Sequence, residues 1–236
     1  MTTAIRHRLV LAMLTVGLVA AGCSGSDDDD APTGDSNAEA LVGLFRIDAG
    51  TCDGPEVKGS YFRMVQSGGT LADGPFVANG DSPCEDNSLT MLAPGTDGGL
   101  LTDEYQPQPE PAFDDAGNAV SARITEPTAW FAVAFGMSTN EQDPQTGRNA
   151  PAPRISVIDG VLTGNLSAVG ASWNGQAFNQ GAPKPGGAAP GATTDPIGTY
   201  DAETGVFTLD WTSQIEGGPF SNFTGVWHLE GTFEPR

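Results

Sequence analysis

Two stretches near the C-terminus constrain this chain more than any other part of it. In residues 206–215 the odd positions are Phe207, Leu209, Trp211, Ser213 and Ile215, and the even ones are Val206, Thr208, Asp210, Thr212 and Gln214. In 223–233 the odd positions are Phe223, Gly225, Trp227, Leu229, Gly231 and Phe233, against Thr224, Val226, His228, Glu230 and Thr232. Side chains alternate across a strand, so both stretches read as strands with the odd face buried. Gly217, Gly218, Pro219 and Phe220 lie between them and supply a turn. Antiparallel pairing keeps both buried faces on one side only if partner numbers have an even sum, because a slip of one residue reverses every side chain. A sum of 438 sets Trp211 opposite Trp227 and Leu209 opposite Leu229. It also sets Asp210 beside His228, and Thr208 beside Glu230. Sums of 436 and 440 satisfy the same parity.

The rest of the body reads the same way. Strands are predicted over 57–65, over the apolar run 129–135 as a central buried strand, and over 154–158 and 161–169 around Asp159 and Gly160. That dipeptide favours a two-residue hairpin turn. A further strand around Gly198, Thr199 and Tyr200 joins the 206–215 strand through a longer loop containing Asp201 and Gly205. The best helical candidate is a single short stretch, 37–45. Three long segments, 92–118, 138–153 and 180–196, carry Pro and Gly without alternation. Structureless loops this long are uncommon in compact domains unless they make contacts or are disordered. The expectation is an all-β domain, an antiparallel sandwich or barrel, over residues 41–236.

Composition agrees after one conflict is resolved. Leu, Ile, Val and Phe make up roughly a fifth of the chain or less, a level associated with disorder when net charge is high. Eleven Phe, four Trp and three Tyr, with 32 Gly and 18 Pro, point instead to a turn-rich β protein. Thirty acidic residues face ten basic ones, a net charge of −20. Phosphate neutralisation is thereby excluded as a binding mode, so no nucleic-acid partner is expected. Attraction to anionic lipid headgroups is disfavoured on the same ground.

The first 22 residues read as an export signal: Arg6, His7 and Arg8 precede an apolar stretch over 9–19, too short for a membrane span. Then come Leu18, Val19, Ala20, Ala21, Gly22 and Cys23. This resembles the lipobox of bacterial lipoproteins, with Ala20 where Leu is commoner. The resemblance implies that Cys23 becomes the mature N-terminus and carries a diacylglyceryl thioether. Two acyl chains anchor a protein stably where one does so marginally. Residues 23–40, with Asp27 to Asp30 and Pro32, read as an acidic tether. The expected location is therefore outside the bacterial cytoplasmic membrane, with the membrane as partner only through the lipid. The stretch 173–233 resembles C-terminal portions of other exported bacterial proteins, a likeness that carries no activity with it.

Cys52 and Cys84 form an even pair in an exported chain, which reads as a disulfide. With His228 alone in the body, no Cys/His zinc cluster can be assembled. No cofactor is expected; calcium is the alternative, with oxygen ligands at Asp114, Asp115 and Asn118, or around Cys84 at Asp81, Glu85 and Asp86. None of these matches a full calcium-loop spacing. Trp173, Asn174, Asn179 and Gln180 place an aromatic ring beside amides, a combination able to stack on a sugar. Asp210, His228 and Glu230 could serve acid–base chemistry, but Ser213 falls on the opposite face, so no Ser/His/Asp triad is formed. The expected function is a non-catalytic surface module binding a glycan, a small ligand or an envelope protein. The alternatives are a carboxylate-dependent hydrolase of extracellular glycan and a purely structural envelope protein.

Overall fold

The computed structural model describes residues 37–236. The export signal, Cys23 and the Asp27 to Asp30 run lie outside the described residues. Among those described there is no helix. The strands are β1 (Glu39–Ala40), β2 (Gly43–Ile47), β3 (Thr51–Asp53), β4 (Glu56–Lys58), β5 (Tyr61–Thr70) and β6 (Gly74–Phe76). They continue with β7 (Thr90–Met91), β8 (Gly99–Leu101), β9 (Thr128–Trp130), β10 (Val133–Thr139), β11 (Arg154–Ile158) and β12 (Val161–Asn165). The last five are β13 (Val169–Trp173), β14 (Gln176–Asn179), β15 (Thr194–Tyr200), β16 (Val206–Gln214) and β17 (Thr224–Pro235).

The C-terminal hairpin takes the 438 register: Trp211 pairs with Trp227, Leu209 with Leu229, Asp210 with His228 and Thr208 with Glu230. Phe207, Leu209, Trp211, Trp227 and Leu229 are all buried, while Val206 is half exposed. The hairpin sits in the middle of an antiparallel ladder that runs β11, β12, β15, β16, β17. The long β17 is flanked in two halves, by β2 at residues 231–235 and by β5 at 224–228. Residues 39–47 touch both ends of this ladder, pairing with β11 through β1 and with β17 through β2. The ladder thus curls into a half-barrel around Phe45, Ile47, Ile155, Leu162, Phe207, Leu209 and Leu229. A second sheet, ordered β14, β13, β10, β9, lays Trp130, Phe135 and Phe178 into the same core.

Four sequence expectations change. The predicted helix over 37–45 is instead β1 and the start of β2. Glu39 and Ala40 are already paired, so ordered structure begins inside the expected tether. Leu41, Phe45 and Ile47 are buried, and β2 alternates, so strand pairing on both sides overrides a short and ambiguous helical pattern. The predicted strand over 57–65 is cut at Gly59. Its φ is +74°, and a β-carbon there would strike the Ala49 carbonyl. The predicted strand over 161–169 ends at Asn165, and Val169 opens β13 in the other sheet.

The run 129–135 is not one central strand. It is the β9–β10 hairpin, with Trp130 opposite Val133 and only Phe131 and Ala132 in the loop. Both loop residues are left-handed, with φ of 52° and 59°. Two other hairpins use the same two-residue turn, at Asp159 with Gly160 and at Asn174 with Gly175, again with positive φ throughout. Those are the residues such a turn prefers. Phe and Ala carry a β-carbon into that region at a cost of roughly 1–2 kcal/mol each.

Cys52 and Cys84 are disulfide-bonded, 32 residues apart in sequence. The link ties the β3–β4 hairpin to the segment before β7. On the chain-entropy estimate it stabilises the fold by ~3–4 kcal/mol. The burial parity of the hairpin gives a direct check. Phe207→Ala is expected to cost ~3–5 kcal/mol in urea unfolding. Val206→Ala, one residue away and on the outer face, is expected to stay within about 0.5 kcal/mol.

Candidate functional site

Three places gather chemistry-bearing side chains, one on the outer face of the half-barrel and two in the interior that share Gln180. The first is the group on the outer face of the half-barrel. Pairing of β16 with β17 and of β17 with β5 brings Asp210, His228 and Tyr61 side by side. His228 Nδ1 lies 2.8 Å from Asp210 Oδ1, and Nε2 lies 3.5 Å from Glu230 Oε2. The imidazole stacks on Tyr61 at 4.9 Å between ring centres. Burial is the largest single influence on His228 and lowers its pKa. The hydrogen bond and charge of Asp210, joined by those of Glu230, outweigh it and leave the pKa raised. Burial likewise raises the Tyr61 hydroxyl. Glu230 is held in place, accepting a hydrogen bond from the Gly59 amide at 2.9 Å. The sequence assembled this group correctly. Both imidazole nitrogens face carboxylates, so the ring is arranged as the centre of a polar cluster and offers no nitrogen to a nucleophile.

The second place is buried, and no motif or periodicity announces it. Ser213, on the core face of β16, meets Lys184 from the loop after β14. Lys184 Nζ donates to Ser213 Oγ at 2.6 Å and to the Asn179 carbonyl at 3.0 Å. Ser213 Oγ donates in turn to the Gly181 carbonyl at 2.8 Å. Desolvation lowers the Lys184 pKa to about 8 against the opposing pull of Glu216 and Asp143. Asn179 and Gln180, read from sequence as ligand contacts, belong to this network. The Asn179 amide nitrogen donates to Asp143 and to the Ser167 carbonyl. Gln180 accepts the Trp227 indole N–H on its side-chain oxygen at 3.0 Å and the Trp211 indole N–H on its backbone carbonyl at 2.8 Å. Both residues are buried. Gln180 clamps the loop to the tryptophan pair, and the Asn179 side chain holds it to Asp143 and the Ser167 carbonyl.

The third place is a cleft between the two sheets. Its walls include Phe62 of β5, Trp130, Phe135, Trp173, Phe178 and Trp227, with Ile215 and Met64 beside them. Phe220, from the β16–β17 loop, enters this ring cluster. It lies 5.3 Å from Trp130, 5.6 Å from Trp173 and 6.0 Å from Phe178, centre to centre. The space left beside it is about 30 Å³. That admits a water-sized group but not a ring. Two of the three indole N–H groups that line the cleft are engaged: Trp173 Nε1 donates to the Trp130 carbonyl, and Trp227 Nε1 to Gln180. Gly217 and Gly218 precede Phe220, with φ of 78° and 69°, conformations glycine adopts without strain. The Glu216 carbonyl is tied to the Gln145 side chain at 2.7 Å.

The remaining candidates are separate from these places. Asn174 sits in the β13–β14 turn, next to Trp173 but with left-handed φ of 49°. Asp114 folds back on its own loop, accepting from the Ala116 and Asn118 amides and from the Asn118 side chain. The Asn118 bonds hold the Asp114 carboxyl below its usual range. Asn118 Oδ1 is engaged by the Ala134 amide, and Asp115 stays exposed. Asp81 accepts the Ala132 amide at 2.6 Å, and Asp86 the Ser88 amide at 3.0 Å. Glu85 is exposed. Among the described residues no three His, Cys, Asp or Glu side chains converge as a metal site.

No protein-family model, curated protein or solved structure matches the chain.

The Lys184 network makes a pH-dependent contribution whose sign is fixed. A lysine whose pKa is lower in the folded than in the unfolded chain binds fewer protons when folded. Stability therefore rises as pH climbs from about 8 to about 10.5. Relative to Lys184→Met, wild type is expected to gain about 3 kcal/mol across that window. Urea unfolding of both proteins at a series of pH values measures it. Parallel curves for the two proteins would remove the buried lysine from the account.

Proposed function

We propose that this chain is a lipid-anchored module of the bacterial envelope that binds a small hydrophobic ligand in the aromatic cleft, without catalysing a reaction. One observation carries the reading: Phe220, on a loop hinged at two glycines, places a ring-sized apolar group among the rings of two sheets. The loop residue stands where a ligand ring would stand. Ligand pockets are mostly apolar, with few polar groups, and this cleft lies at the apolar extreme. A sugar would have to leave hydroxyls unpartnered there, because two of the three indole N–H groups at the cleft are already used and the rest of the lining is almost wholly apolar, and that desolvation is costly. The cleft therefore favours an aromatic or aliphatic ligand over a glycan. The acidic surface keeps the domain soluble beside the membrane.

N-phenyl-1-naphthylamine, a neutral probe whose fluorescence rises in apolar surroundings, tests the cleft. Phe220→Ala, which vacates the ring's position, is expected to bind the probe about tenfold more tightly than wild type, and Trp173→Ala in that background to reverse most of the gain. Equal and negligible fluorescence from all three proteins would defeat the reading. For the anchor, intact mass of protein recovered from the native membrane is expected to show Cys23 at the N-terminus carrying a diacylglyceryl group. Recovery of an unmodified Cys23 would place the chain outside the lipoproteins.

A further inference from the structure

We infer that the β9–β10 turn holds Phe131 out as a second contact for the cleft's ligand, which must then be an extended apolar molecule of at least two ring-sized groups. The inference rests on the cleft being a binding site. Its own basis is an internal comparison. This chain builds three hairpins on a two-residue left-handed turn, and two use Asp or Asn followed by Gly. The third, bordering the cleft, uses Phe131 and Ala132. Nothing in the hairpin's own folding selects that pair, since both residues carry a β-carbon into a region that disfavours one.

The conformation is imposed from outside the hairpin. Asp81 Oδ2 accepts the Ala132 amide at 2.6 Å. Buried Asn79 fixes the strand beside it, donating to the Ala129 carbonyl and to Thr90 Oγ1. Held this way, Phe131 does not fold into the core. It is 49 % exposed, the most exposed aromatic side chain among the described large hydrophobic residues. Its ring meets Trp130 edge-on at 4.7 Å, and Trp130 is a wall of the cleft in contact with Trp173 and Phe220. Phe131 is not itself a wall of the cleft but stands against one, and backbone strain retained against local preference to present a solvent-facing ring there is a mark of a functional contact. One ligand ring takes the position of Phe220, and a second lies over Phe131.

The test replaces the turn with the pair the chain uses elsewhere, Phe131→Asn together with Ala132→Gly, in the full chain. The variant is expected to melt at a higher temperature than wild type, because the strain is relieved. It is also expected to bind N-phenyl-1-naphthylamine about tenfold more weakly. Phe131→Tyr, which keeps the ring, is expected to retain wild-type binding. A more stable variant that binds the probe as wild type does overturns the role of Phe131 and leaves the cleft intact. Loss of binding in Phe131→Tyr as well as in the turn replacement also overturns it, since the ring would not be the cause. Absence of probe binding in wild type and in Phe220→Ala alike overturns the cleft, and this inference with it.

Discussion

The stacked pair of Trp211 and Trp227 is the contact around which the rest is arranged. Their rings lie 5.7 Å apart and within 6° of parallel, directly across the β16–β17 ladder. Two large indoles on one face of a hairpin cannot be covered by that hairpin alone, and each carries an N–H that needs a partner when buried. Gln180 meets both needs at once, taking one N–H on its carbonyl and the other on its side chain. The loop that delivers Gln180 leaves β14, so the pair draws the second sheet onto the first. Gly225, between the rings and the Gln180 amide, has no β-carbon where that amide oxygen sits. Lys184 and Ser213 pin the same loop one step further along β16.

The cleft follows from this arrangement. Trp227 sends its ring into the space between the sheets, where Phe62 lies 4.5 Å away and Phe135 6.2 Å away. The second sheet contributes Trp130 and Trp173 from the opposite side. Rings tilted against one another fill space less completely than interdigitated aliphatic chains, and tilted or edge-on contacts dominate here. Phe220 closes most of what remains. The core is thus completed by a residue from a loop and not from either sheet.

Much of the fold was written locally. Alternation in 206–215 and 223–233 sets the parity of the central hairpin, and the structure selects, from the registers that parity allows, the one with the Asp210–His228 contact. Asp159 with Gly160 marked its turn unaided. The misreadings share one cause, a local pattern overruled by a distant partner. Ala129 to Phe135 looks like one buried strand because hydrophobicity alone does not reveal a turn built from Phe and Ala. That turn exists through Asp81, some fifty residues earlier in the chain. Residues 37–45 lack a decisive period and become strand because both ends of the ladder need closing. Asn179 and Gln180 read as surface amides because their neighbours are polar and glycine-rich, while the partners of Gln180 are tryptophans on other strands and those of Asn179 include Asp143 and the Ser167 carbonyl.

The same reasoning explains why the candidate site was the least legible part. Its walls come from β5, β9, β10, β13, β14, β17 and a loop, and none of these segments signals it individually. Trp173 reads from sequence as an aromatic ring beside amides, whereas in the structure it stands among Trp130 and Phe220. Of the amides grouped with it in sequence, Asn179 and Gln180 turn inward and Asn174 stays exposed in the turn, while the rings beside it in space come from elsewhere. That difference decides the chemistry. An aromatic flanked by free amides would select hydroxyl-bearing ligands. An aromatic flanked by other aromatics, with its indole N–H already bound to the Trp130 carbonyl, selects for apolar surface and against hydroxyls.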